Sequence, residues 1–197
     1  MSQLEDSPGA VAQLQQLVKS AELSSYRENL LEQLLSVELI QACWLRDLPP
    51  LELAHAFVDF SGYDLVASCG GVTRHIQLKA TAGKIILHRA LALKPSGCCV
   101  LLKPMATSQD DTPPRITMTY RFLGGLPNQP LVIDAAWRPA RGTRYARTSE
   151  GEFARPERTN HVEVPRSAFG RALDVDGLVT VLFGDAPRTD NEETGTK

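Results

Sequence analysis

The pattern of apolar and polar positions predicts one long helix near the start of the chain, over residues 24–46. Apolar residues recur there every three or four positions, which places them on one face of a helix. This stripe comprises Leu31, Leu35, Ala42 and Leu45. Ser25 and Glu28 have the S-x-x-E spacing of a capping box, which predicts where the helix begins. A shorter amphipathic helix is expected over residues 10–20.

Shorter apolar or alternating runs predict strands through the middle of the chain. We expect these strands at residues 55–60, 64–68, 72–80, 98–103, 115–122 and 161–164. Residues 85–93 are apolar and do not distinguish strand from helix, and a helix is expected in their second half. Residues 124–160 look irregular, and a final helix is expected over 175–183. Helices and strands thus alternate as in an α/β (α+β) fold class.

The composition indicates one compact domain, since 197 residues with 43% hydrophobic residues can bury a sizeable core. No apolar run is long enough to span a membrane, and the first residues do not resemble a signal peptide. A cytoplasmic protein is therefore expected. The polar ends, residues 1–9 and 186–197, are expected to be disordered. The net charge is −2, so any binding of nucleic acid requires a local basic patch.

The four cysteines, Cys43, Cys69, Cys98 and Cys99, have no C-x-x-C spacing. A zinc site is therefore not indicated. We expect buried, reduced thiols, which is the common state of such residues.

The stretch GYDLVASCGGVTRHIQLKA, residues 62–80, predicts a hairpin that carries unexpected polar residues. A two-residue turn at Gly70-Gly71 places Asp64 directly opposite Gln77. The period of two puts Lys79 on the same face as Gln77, while Ile76, Leu78 and Ala80 face the core. One face of the hairpin then gathers a carboxylate, an amide and an ammonium group. The alternative is a polar face that water simply solvates.

Glu38 occupies a position of the buried helix stripe where an apolar residue is expected. A carboxylate in a buried stripe is costly unless a metal ion or a lysine pairs with it. The alternative is a glutamate at the edge of the stripe that reaches water. Glu32 is expected to be solvated.

The motifs RENLLEQLLSVELIQACW, GYDLV and RHIQLKA, in this order, resemble the PD-(D/E)XK nuclease superfamily. They are also similar to an uncharacterised bacterial family with the same pattern. The resemblance implies a restriction-endonuclease-like αβββαβ core, a central mixed sheet flanked by helices. It covers residues 10–105, with residues 115–185 as a C-terminal extension packed on that core.

The resemblance also implies an activity, the metal-dependent hydrolysis of phosphodiester bonds in DNA. Asp64 matches the family's bridging metal ligand, Lys79 its lysine and Glu38 its helix glutamate. Gln77 stands where the family usually has Asp or Glu. Mg²⁺ or Mn²⁺ would be the cofactor, because such ions take oxygen ligands. The backbone of Leu78 could supply one more oxygen.

The glutamine at position 77 leaves two alternatives open, because it removes one negative charge from the metal site. Either Glu38 compensates and the protein is a nuclease, or catalysis has been lost. In the second case the protein is an inactive nuclease-fold module that binds nucleic acid or a protein partner. Many nucleases of this fold form dimers, so a homodimer is also left open.

A series of arginines after residue 137 predicts a nucleic-acid-binding arm. The residues are Arg138, Arg141, Arg144, Arg147, Arg155 and Arg158. Trp137 and Tyr145 lie among them, and arginines with aromatic neighbours suit phosphate contacts and base stacking. The alternative is a solvated loop in which Glu150, Glu152 and Glu157 are the partners.

Overall fold

The structure, a computed structural model, describes residues 12, 15, 22–56, 61–80, 83–107, 115–142, 144–147 and 152–184. Most of the short helix expected over residues 10–20, and both terminal tails, lie outside the described residues. No helix among those described is long and apolar enough to cross a membrane.

Helix α1, Ser24–Leu45, confirms the long helix within one residue. Its buried hydrophobic residues are Leu31, Leu35, Leu39, Ala42 and Cys43. Leu45, the last residue of the helix, was expected in this stripe but is 83% exposed. The capping box is also wrong. The helix is preceded by Leu23 without a side-chain cap, and Ser25 lies inside its first turn.

The strands that the structure describes are, in chain order, β1 (Glu52–His55), β2 (Leu65–Cys69), β3 (Val72–Lys79), β4 (Ile85–His88), β5 (Gly97–Thr107), β6 (Arg115–Gly124), β7 (Arg138–Arg141), β8 (Ala146–Arg147), β9 (Phe153–Ala154) and β10 (Glu157–Val164). The first strand was predicted at 55–60 but ends at His55, and residues 57–60 lie outside the described part. A 3₁₀ helix, Arg89–Leu93, follows β4. The helix expected in the second half of residues 85–93 is confirmed as this 3₁₀ helix, whereas the first half, left open by the sequence, is strand β4.

A mixed five-stranded sheet forms the centre of the protein, in the order β1-β2-β3-β5-β6. Its neighbours pair antiparallel except β3 and β5, which are parallel. Residues 115–124 were assigned to an extension, yet as β6 they are a full strand of this sheet. The fold is thus a mixed α/β arrangement around one central sheet.

The hairpin between β2 and β3 has the predicted turn and register. Gly70 and Gly71 both have positive φ, 57° and 79°, as a tight two-residue hairpin turn requires. Leu65 pairs with Ile76, and the pairing continues to the turn without a shift. The ladder begins at Leu65, so Asp64 lies just before β2 rather than inside it.

Each face of the central sheet is covered by a different layer. Helix α1 and the final helix α2, Val175–Phe183, pack with Ile76 and Tyr120 in one hydrophobic cluster, the helix-side core. A small sheet in the order β4-β10-β7 covers the other face, and its residues pack with Cys99 and Leu101 in the sheet-side core. The position of α2 is as predicted.

The region 124–160, predicted to be irregular, contains paired strands in its second half. Strand β7 pairs with β10, and β8 pairs with β9, so the prediction was wrong for these residues. The periodicity was hidden because β7 contains Pro139, Pro156 stands directly before β10, and most residues of these strands are exposed. All four cysteines are buried and free, which confirms their expected state.

Candidate functional site

Asp64 and the end of β3 meet at the open end of the hairpin. The backbone N–H of Asp64 donates to the carbonyl of Ile76 over 2.9 Å. The Asp64 carboxylate accepts the backbone N–H of Leu78 over 2.6 Å. A hydrogen bond to a charged acceptor is stronger than a neutral one, so it holds the carboxylate firmly. Asp64 therefore lies against the backbone of the Gln77-Leu78-Lys79 segment.

Gln77 is 4% exposed, because its face of the hairpin is covered by β4. Its side-chain oxygen accepts the backbone N–H of His88 over 3.2 Å. The predicted alternation of side chains along β3 is correct, but the face that carries Gln77 is covered instead of exposed to water. An amide oxygen has two lone pairs, so one remains after the bond to His88.

Gly62 explains part of the GYD motif by its lack of a side chain. It has a φ of 75°, and a Cβ at this position would lie 2.2 Å from the Cβ of His88. Only glycine tolerates both conditions. Tyr63 in turn contacts His75 edge-on, with ring centroids 5.0 Å apart. The motif thus fixes the chain that leads into Asp64.

Lys79, the last residue of β3, is partly buried and lies opposite Leu101 of β5. Burial raises the pKa of the Cys99 thiol, while Lys79 lowers it and Asp64 raises it. Cys99 lies opposite Gln77 in the parallel pair of β3 and β5. Both charges therefore act on the thiol that lies beside Gln77.

The carboxylate of Glu38, a half-buried residue, has a tyrosine as a hydrogen-bond partner. The hydroxyl of Tyr120, a fully buried residue of β6, donates to the Glu38 carboxylate. Burial, and then this carboxylate, raise the pKa of Tyr120. Tyr120, the partner of Glu38, belongs to the helix-side core. Cys99, which lies opposite Gln77, belongs to the sheet-side core. The partners of Glu38 and Gln77 therefore lie on different faces of the central sheet. No group of three or more His, Cys, Asp or Glu among the described residues could hold a metal ion.

Glu32 and His55 form a pair that the sequence reasoning missed. Glu32 was expected to be solvated, but its carboxylate lies 2.5 Å from Nδ1 of His55. His55 pairs with Leu65, and the N–H of Ala56 donates to the backbone carbonyl of Asp64. The pair therefore lies at the same end of the sheet as Asp64. The sequence did indicate that Glu32 is not simply solvated, because Glu32 precedes Leu39 by two helical turns and therefore lies on the same face of the helix.

The arginine arm, which comprises the described residues within 138–158, contains β7, the paired strands β8 and β9, and the beginning of β10. Arg141 lies opposite Glu157, and Arg147 lies opposite Phe153. All six predicted arginines are exposed. The Arg155 guanidinium lies 5.0 Å from the centre of the Tyr145 ring. Within the described residues, no ion pair joins the arm's arginines to Glu152 or Glu157.

No protein-family model matches the chain, and no curated protein is similar to it.

Proposed function

We propose that this protein is a metal-dependent nuclease with a restriction-endonuclease-like core, acting on phosphodiester bonds of DNA. The observation that carries the proposal is the Asp64 carboxylate held on the N–H of Leu78, between Gln77 and Lys79. A helix, three antiparallel strands and a fourth strand parallel to the third agree with the family's order. The connection from β3 to β5 departs from it, being a strand and a 3₁₀ helix instead of an α-helix.

The residues at this end of the hairpin fit Mg²⁺ or Mn²⁺, because their donors are oxygen atoms. Asp64 supplies the negative charge, Gln77 has a lone pair left on its amide oxygen, and the Leu78 carbonyl could contribute. Glu38 is not part of this donor set, because its carboxylate bonds Tyr120 of the helix-side core. A bound ion supplies Lewis acidity and lowers the pKa of a water molecule.

The positively charged side chains of Lys79 and of the arginine arm would contact the phosphates of the DNA. Lys79 directly follows Leu78, whose N–H the Asp64 carboxylate accepts, and its ammonium group would donate to the non-bridging oxygens of the scissile phosphate. Negative charge builds on these oxygens as water attacks, so a fixed cation stabilises that state more than the substrate. The arginine arm would bind flanking phosphates, which position a nucleic acid without reading its sequence.

A second candidate is an inactive module that binds nucleic acid, and two hydrogen bonds favour it. The oxygen of Gln77 is occupied by His88, and the carboxylate of Glu38 by Tyr120. Both bonds explain these polar residues without a metal. In that case the arginine arm would still bind DNA, but no bond would be cut.

The test incubates purified protein with labelled single- and double-stranded DNA in Mg²⁺, Mn²⁺ or EDTA. We expect cleavage that EDTA abolishes and that falls by about a hundredfold or more in Asp64→Asn and in Lys79→Ala. Lys103→Ala, a change at an exposed lysine of β5, is the matched control and should cut normally. Circular dichroism checks that each variant is folded.

Equal cutting by Asp64→Asn, Lys79→Ala and the wild type would show a contaminating enzyme and overturn the proposal. DNA that is bound but never cut, in any metal, would select the inactive module.

A further inference from the structure

Helix α1 is apolar on its outer side as well as on its buried side. A second row of residues follows the helix with alternating spacings of three and four. This outer stripe consists of Leu23, Tyr26, Leu30, Gln33, Val37, Ile40 and Trp44. At 100° per residue, it is centred almost opposite the buried line of Leu35, Leu39 and Ala42.

The outer stripe is strongly exposed, although apolar residues dominate it. Tyr26 is 61%, Val37 51%, Ile40 48% and Trp44 74% exposed. The helix of a lone globular protein normally presents charged and polar residues to water, and a helix apolar all round is normally buried. The six apolar residues of the outer stripe therefore indicate that another surface covers them.

The spacing identifies the kind of partner. Alternation of three and four over three heptads is the repeat by which helices pair side by side. The stripe runs for about 32 Å along the helix. It exposes on the order of 600 Å², close to the ~800 Å² that each partner gives to a standard interface.

We propose that the outer stripe is the interface of a homodimer, in which α1 packs against α1 of a second copy of this chain. Such a contact is isologous, so one patch must be complementary to itself. Gln33 is the only polar residue of the stripe and lies at its middle. It therefore meets Gln33 of the other copy in a parallel or an antiparallel pair, and two amides can donate to and accept from each other.

The test is sedimentation velocity of the full chain over a range of concentrations. We expect a dimer at micromolar concentration, and a monomer for the double variant Val37→Glu with Ile40→Glu. Two carboxylates buried at the centre of each copy should raise the dissociation constant at least a hundredfold. Both positions face away from the core, so circular dichroism and urea unfolding at low protein concentration should show an intact fold.

Val132→Glu is the matched control, since Val132 is an apolar residue that is 77% exposed outside α1. This variant should remain a dimer. A wild-type chain that stays monomeric up to about 100 μM overturns the proposal. So does a dimer that survives in the Val37→Glu, Ile40→Glu variant. Neither result depends on whether the protein cuts DNA.

Discussion

Arg74, inside the central sheet, and the arginine arm use the same side chain in opposite surroundings. Arg74 is fully buried on β3, in the layer of the two helices. Its guanidinium donates to the carbonyls of Leu182 (2.7 Å), Val181 (2.9 Å) and Gly125 (3.1 Å). The first two carbonyls belong to the last turn of α2, which lacks its own donors and attracts positive charge. Burial lowers the pKa of Arg74.

The arginines of the arm have no comparable set of acceptors among the described residues. They are exposed, and their recorded partners are a ring for Arg155 and the imidazole of His161 for Arg158. A guanidinium carries five N–H donors, and carbonyls can satisfy them as carboxylates do. Arg74 therefore uses its N–H donors to hold β3 against α2. Most N–H donors of the arm remain available to an external acceptor.

Replacing the interior arginine should have the largest effect. We expect Arg74→Met to lower the free energy of unfolding by about 3–5 kcal/mol, because several buried carbonyls lose their donors at once. Urea denaturation measures this change. Arg121→Met makes the same exchange at an exposed position of β6 and should cost less than about 0.5 kcal/mol. Equal losses in the two variants would contradict the role given to Arg74.

Alkaline pH should lower the free energy of unfolding, through the buried thiols of the interior, and leave the charge of the arm unchanged. Burial raises the pKa of the Cys43 and Cys98 thiols to about 12 each. Above pH 9 the unfolded chain loses these protons while the folded protein keeps them. The contribution of these two buried thiols to the free energy of unfolding is therefore fully present below pH 9 and is lost as the pH rises toward 12.

The expected slope is about 1.4 kcal/mol per pH unit for each such thiol, measured by urea unfolding between pH 8 and 10.5. Arginine stays protonated in this range. A stability that is flat up to pH 10.5 would show that these thiols are not held in a dry interior.

Removing two arginines of the arm should have the smallest effect, and on binding alone. Arg141→Ala with Arg144→Ala should weaken DNA binding about tenfold and lower the slope of log K against log salt by about 2. The free energy of unfolding should change by less than about 0.5 kcal/mol. Arg115→Ala with Arg171→Ala removes the same charge at exposed positions elsewhere and is the control for binding. Equal weakening in both double variants would count against the arm.

Local sequence was sufficient for the elements whose signal is local. Hydrophobic periodicity located α1 and α2, and the Gly70-Gly71 turn set the register of the β2–β3 hairpin. These features depend on neighbours within a few residues, so the sequence displays them directly. The same register placed Asp64 against the segment of Gln77 and Leu78, where its carboxylate accepts the N–H of Leu78. The arginines that the sequence assigned to the arm are exposed.

Only the tertiary structure decided which polar residue meets which partner. Tyr120 lies 82 positions after Glu38, and Arg74 reaches helix α2 more than 100 positions later. No periodicity connects such residues, because their contact depends on how layers stack after the strands have paired. For the same reason the sequence showed Gln77 on a polar face but not that β4 covers this face. The chain determined where its charges lie along each element, and the packing of the layers determined which of them remain available for function.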